Sequence, residues 1–190
     1  MVPGMVILGI DPGLASTGFG VVRKEGADLR SLEYGEIETP PGAALSLRLD
    51  KIYRGVLGVI QGHQPDVVVL EQLFFSSNAK SAMAVGEACG AIILAAAHAG
   101  AEVAQYTPLE IKQALVGQGR AGKEQVSFMV RSILRLEPIA SDHASDALAA
   151  AICHAHRHDL KERLKGAAST GGTPVVPRPA AGRGKRSRPL

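Results

Sequence analysis

Tryptophan is absent, aromatic residues make up only 4% of the 190 positions, and there are two cysteines. Cys89 and Cys153 lie in apolar surroundings and at no metal-ligand spacing. That excludes a disulfide framework and a zinc finger, and reads as two reduced core thiols of a cytoplasmic protein. Long apolar runs are also missing. The longest, Ala91–Ala97, is too short to span a bilayer, and the N-terminus lacks a charged segment followed by an apolar one. The sequence therefore argues against a membrane-spanning or secreted chain. There is no Gly-Lys-Ser/Thr phosphate loop and no His-Glu-x-x-His, which removes the P-loop and zincin classes. Gly18-Phe19-Gly20 comes nearest to a dinucleotide motif, but it has neither a third glycine nor a following helix.

What is present is the composition of a folded domain, with 46% hydrophobic and 21% charged residues. The formal charge of +3 is unevenly spread. Residues 166–190 hold five basic residues (Arg178, Arg183, Lys185, Arg186, Arg188) and no acidic one, leaving 16 Lys and Arg against 18 Asp and Glu in residues 1–165. The division is a slightly acidic folded domain over 1–165 and a basic tail over 166–190. The tail is too rich in Gly, Pro, Ala and Ser to order itself. It is either a solvated terminus or an arm adding salt-dependent affinity for a polyanion.

Met5–Asp11, Gly18–Lys24 and Leu29–Thr39 read as three strands in a meander. Leu45, Leu49, Ile52, Val56, Leu57 and Ile60 recur at spacings of three and four, which predicts a helix from Ala44 to His63. Asp66–Glu71 is an apolar strand between two acids, followed by a small-residue helix over 78–100 and a strand over Glu102–Thr107. Helices over 108–116, 123–136 and 141–165 complete the order β-β-β-α-β-α-β-α-α-α. Three antiparallel strands and two more reached through helices make a five-stranded mixed sheet flanked by helices. This is the α/β plan of the ribonuclease H-like fold.

Asp11 ends the first strand within Gly-Ile-Asp-Pro-Gly, and Glu71 ends a strand that should neighbour it. A lone strand-terminal acid is an ordinary turn former, but two on adjacent buried strands repel unless a cation lies between them. The last helix opens Ser141-Asp142-His143-Ala144-Ser145-Asp146, with His143 and Asp146 three apart and therefore on one side of its first turns. Because the helix stays apolar nearly all round from Ala144 to Ala155, Asp146 should point into the structure. Its competing role is to favour the helix dipole, while Ser141 or Asp142 caps the helix. Asp11, Glu71, Asp146 and His143 together suit two hard divalent ions with one softer nitrogen ligand, the apparatus of phosphoryl transfer.

Those residues stand in a wider pattern. Gly9-Ile10-Asp11-Pro12-Gly13, Glu71-Gln72-Leu73-Phe74, Lys112-Gln113 with Val116-Gly117, Lys123 with Gln125-Val126, and Asp146-Ala147-Leu148-Ala149 occur in one order and spacing. In these motifs the chain resembles the RuvC family of Holliday junction resolvases, from Met5 to about His156. The resemblance implies a homodimeric, Mg²⁺- or Mn²⁺-dependent endonuclease that places symmetric nicks in four-way junction DNA, working with RuvA and RuvB. It also implies catalytic, metal-binding roles for Asp11, Glu71 and Asp146. At the family's usual fourth acid stands His143, either as a ligand favouring Mn²⁺ or as a group that orients or deprotonates the attacking water. Asp142 is the alternative, about 100° away around the helix.

Phe74 and Phe75 follow Glu71 closely and are read either as core or as aromatics that stack on an unpaired base. Lys112 and Lys123 match family positions that bind DNA phosphates, although a lone lysine is usually just solvated. The 82–99 helix is either the core helix behind the sheet or a dimer interface. His154 and His158, four apart, read as a solvated helix end rather than a zinc site. Within the superfamily the rival is a YqgF-type RNA-processing nuclease, against which the Phe pair and the two lysine motifs speak. Outside it stand a non-catalytic junction-binding module and the sugar kinase, actin and Hsp70 superfamily, which needs about twice this length.

Overall fold

The computed structural model describes residues 4–72 and 79–169, without the side chains of 79–80 and 161–169. Strands β1 (Met5–Asp11), β2 (Ser16–Glu25) and β3 (Asp28–Glu38) form the predicted meander. Helix α1 (Leu45–His63) leads to β4 (Val67–Glu71), and α2 (Ala79–His98) to β5 (Glu102–Tyr106). Helices α3 (Pro108–Val116), α4 (Lys123–Leu134) and α5 (Asp142–Ser169) follow. The sheet order is β3-β2-β1-β4-β5. The first three strands pair antiparallel, and β1, β4 and β5 run parallel.

Strand alternation sorts the core into two layers. Leu8, Ile10, Val68 and Leu70 face α1 and α2, where Ile52, Val56, Ala88 and Ile92 are buried. Ile7, Val67 and Val69 face α3, α4 and α5, where Ile111, Val126, Val130, Leu148 and Ile152 are buried. Asp11 and Glu71 continue the second series, so their carboxylates emerge on the α5 side of the sheet.

Three glycines on that side let α5 lie unusually close. A Cβ at Gly9 would come within 2.0 Å of the Ala147 carbonyl oxygen, one at Gly18 within 2.1 Å of the His143 carbonyl oxygen, and one at Gly20 within 2.6 Å of Leu148. Gly18-Phe19-Gly20 is thus a platform for a helix. Cys89 and Cys153 are buried and unpaired, as read from their surroundings.

The observed helices refine the sequence reading in α2, α4 and α5. By length and composition, Ser81–His98 of α2 is apolar enough to cross a membrane, although no uninterrupted apolar run reveals it. Here it packs against α1 and β5, with Ala88, Cys89, Ile92, Ala95 and Ala96 buried. Helix α5 continues past Lys165 to Ser169. His154 is therefore no solvated helix end, and its Nδ1 lies 3.0 Å from the Tyr106 hydroxyl in a part-buried contact. Helix α4, in contrast, stops at Leu134, because Arg135 turns left-handed with φ 55°.

Candidate active site

The parallel register pairs Ile10 with Leu70, so Asp11 and Glu71 follow abreast at the ends of adjacent central strands. The loop after Asp11 is held from several sides. Thr17 Oγ1 donates to the Gly13 carbonyl at 2.7 Å, and Thr39 Oγ1 to the Leu14 carbonyl at 2.6 Å. From α1, Arg48 donates to Thr39 Oγ1 at 2.8 Å and to the Leu14 carbonyl at 3.1 Å. Fixing these backbone oxygens removes freedom from the turn that aims the Asp11 carboxylate.

Helix α5 brings the other groups to the same edge. Ser141 caps it, accepting from the Ala144 N–H at 2.9 Å, which settles the cap between the two candidates. His143 Nδ1 lies 2.7 Å from Asp11 Oδ2. Asp146, 33% exposed, faces Lys123 Nζ at 3.3 Å, and Asp142, 79% exposed, meets the same ammonium at 3.1 Å. It is His143, and not Asp142, whose side chain touches Asp11. Glu71, Lys112, Lys123 and Asp146 line a cleft of about 210 Å³ floored by Ile111, Val126 and Ala149.

The electrostatics are those of crowded negative charge. Burial pushes Glu71 up to about 7, and the charges of Asp11 and Asp146 add to the effect, against the pull of Lys112 and Lys123. Asp11 is also raised, by burial first, although its hydrogen bond to His143 works in the other direction. That same hydrogen bond raises His143.

Among the described residues, no three His, Cys, Asp or Glu side chains close into a preformed metal cage. Asp11 and Asp146 instead spend an oxygen each on His143 and Lys123. The donor set nevertheless fits a divalent cation. It offers three carboxylates and one imidazole, the charge of Asp146 raises both Asp11 and Glu71, and the Lys123 ammonium already sits against Asp146.

The match in order and spacing of these residues extends along the chain. The family model for the crossover junction endodeoxyribonuclease RuvC matches residues 7–154. The chain belongs to the RuvC family. It is 51% identical over 156 residues to the RuvC of Rubrobacter xylanophilus, an alignment covering 82% of this chain and 87% of that protein. Among solved structures, Thermus thermophilus RuvC in complex with a Holliday junction substrate matches with a TM-score of 0.80 at 41% identity, over 83% of this chain and 96% of that one. The yeast mitochondrial Holliday junction resolvase Ydc2 has a TM-score of 0.61 at 11% identity over 88% and 85% of the two chains, and shares the fold.

Of the positions matched to RuvC family motifs, Phe74 and Phe75 lie outside the described residues. Lys112 and Lys123 both reach the cleft, with Lys123 occupied by Asp142 and Asp146. Sequence reading missed Arg48, Thr17 and Thr39, which grip the Asp11 loop, and Ser16 and Glu36, which hydrogen-bond beside His143. For these the sequence offers no signal, since none of them stands in a motif that would mark it. Gly18 and Gly20 were visible as a pair, and their partner was α5.

Proposed function

We propose that this chain resolves four-way DNA junctions by metal-dependent phosphodiester hydrolysis, in homologous recombination and repair. The observation that carries the proposal is the meeting of Asp11, His143, Glu71 and Asp146 at one sheet edge in a chain of the RuvC family. The divalent ions implied by that family, two of Mg²⁺ or Mn²⁺ per subunit, would supply a nucleophile from water and stabilise charge on the departing oxygen.

The chain's own residues do the rest. Asp11, Glu71 and Asp146 hold the ions, with His143 as the nitrogen donor. Its softer donor atom favours Mn²⁺ over Mg²⁺. Lys112 and Lys123, on the wall of the same cleft, meet phosphate oxygens, and Phe74 and Phe75 stack on bases at the crossover. The products carry 5′-phosphate and 3′-hydroxyl ends. Symmetric paired nicks need two sites, so the acting unit is a homodimer, for which the exposed Met83, Ile93 and Leu94 of α2 offer apolar surface. RuvA and RuvB are its partners, and the cytoplasm its compartment.

The test is cleavage of a labelled mobile four-way junction against duplex, forked and RNA substrates, with and without Mn²⁺. Selective junction cleavage is expected. Asp11→Asn, Glu71→Gln and Asp146→Asn should each abolish it while leaving junction binding nearly intact. A variant that cuts within about tenfold of wild type takes its residue out of the proposed set.

A further inference from the structure

The pairing registers place Asp11 opposite Gly18 and Gly18 opposite Glu36, so one row crosses β1, β2 and β3. Side chains in such a row share a face, here the face toward α5. The middle member has no side chain, and the backbone of His143 fills the gap. The first turn of α5 thus sits in a slot with the Asp11 carboxylate on one wall and the Glu36 carboxylate on the other.

Each wall grips the helix differently. On the Asp11 side the contact is the His143 imidazole. On the Glu36 side it is a chain of hydroxyls. Ser16 Oγ donates to Glu36 Oε2, and the Ser141 hydroxyl lies near enough to the same carboxylate to lower its pKa. Ser141 Oγ meanwhile accepts from Ala144 N–H, and its carbonyl accepts from Ser145 N–H at 3.1 Å. The residue that caps α5 therefore stands beside the Glu36 carboxylate of the sheet. A carboxylate at this end of the helix also meets the positive pole of its dipole. The two hydroxyls and the nearby imidazole hold the Glu36 carboxyl below the usual carboxylate range, so it is charged when the protein works.

We infer that Glu36 is a positioning residue for cleavage, bracing the first turn of α5 against the sheet and so fixing where His143 and Asp146 present their ligating atoms. This rests on the reading of the site given above. Glu36 acts through Ser141 and the helix start, without touching the scissile phosphate.

The experiment uses the full chain and compares Glu36→Ala, Glu36→Gln and a neighbouring charge control, Glu38→Ala. The first readout is amide hydrogen exchange without divalent ions. Exchange over residues 143–146 should speed up by about tenfold in Glu36→Ala, with the sheet unchanged, and stay at the wild-type rate in Glu38→Ala. The second is the single-turnover cleavage rate at saturating junction. Glu36→Ala should lose about tenfold in rate with its junction Kd within about twofold of wild type, and Glu36→Gln, which keeps an oxygen for Ser141, should recover most of the loss.

Wild-type exchange in the first turn of α5 overturns the inference. So does cleavage by Glu36→Ala within about twofold of wild type. Faster exchange throughout the sheet would mean a general structural role, and equal damage in Glu36→Gln would mean that charge alone matters. Either of these results also overturns it. A wild-type protein that cuts no junction sinks the functional reading instead, while the exchange comparison still tests the brace.

Discussion

Replacing Gly18 by alanine tests whether the approach of α5 to the sheet sets the geometry of the site. The new Cβ would stand 2.1 Å from the His143 carbonyl oxygen, 2.3 Å from the carbonyl carbon and 2.8 Å from Cβ. Carbon and oxygen in contact need more than about 3 Å, so the first turn of α5 must retreat by about 1 Å. No rotamer change relieves the clash, because the nearest atoms are backbone. A retreat of that size stretches the 2.7 Å contact between His143 and Asp11 beyond hydrogen-bonding range.

A displacement of about 1 Å at reacting groups costs about 100-fold in rate. Overpacking of this kind costs about 1 to 3 kcal/mol in stability, or about 2 to 10 °C in Tm for a domain of this size. Single-turnover junction cleavage and a thermal melt measure the two effects. Gly58→Ala is the contrast. It lies within α1 with nothing inside 4 Å of its added Cβ, and should raise stability by about 0.5 to 1 kcal/mol without altering the rate. A Gly18→Ala protein that cuts within about threefold of wild type would refute the reasoning, since the helix would have moved without moving the chemistry.

The metal-free protein should gain stability from Glu71→Gln above pH 7. The folded-state pKa of Glu71 is raised from 4.5 to about 7, so its contribution is fully present below pH 4.5 and is lost as pH rises through about 7. Melts in chelator should show a gain of about 1 to 3 kcal/mol at pH 8 and none at pH 4, after allowance for the solvent that reaches the carboxylate. Equal Tm at pH 8 would contradict the crowding of charge. For His143→Asp, a fourth carboxylate should raise the Mg²⁺ rate relative to the Mn²⁺ rate, and an unchanged ratio would remove His143 as a ligand. Truncation after Ser169 removes the five tail cations and should flatten the salt slope of non-specific DNA binding, whereas an unaltered slope would make the tail a bystander.

The elements legible in the sequence were those with a strong period or sharp ends. The apolar run of β4 between two acids, and the three-four spacing in α1, located both elements to within a residue. Asp11 and Glu71 were legible because strand ends are marked by Pro, Gly and charge. Helix ends without such marks were not. Arg135 gives no warning of its left-handed turn, and nothing near Lys165 or Ser169 announces where α5 stops. The hydroxyl and arginine network around the Asp11 loop was illegible for a different reason. Thr39 meets Leu14 across 25 positions and Arg48 meets it across 34, and such contacts exist only once the sheet and α1 have come together.

The contact between Asp11 and His143 joins residues 132 positions apart. On the ribosome, the strand carrying Asp11 emerges early, and β4 with Glu71 follows. The helix that carries His143 and Asp146 comes last among the described elements. Until that helix has emerged and settled on its glycine platform, the nascent polypeptide holds two carboxylates and nothing to complete them. On the proposed reading, a growing chain therefore passes most of its synthesis without a complete set of site residues, and gains the last of them only when α5 docks.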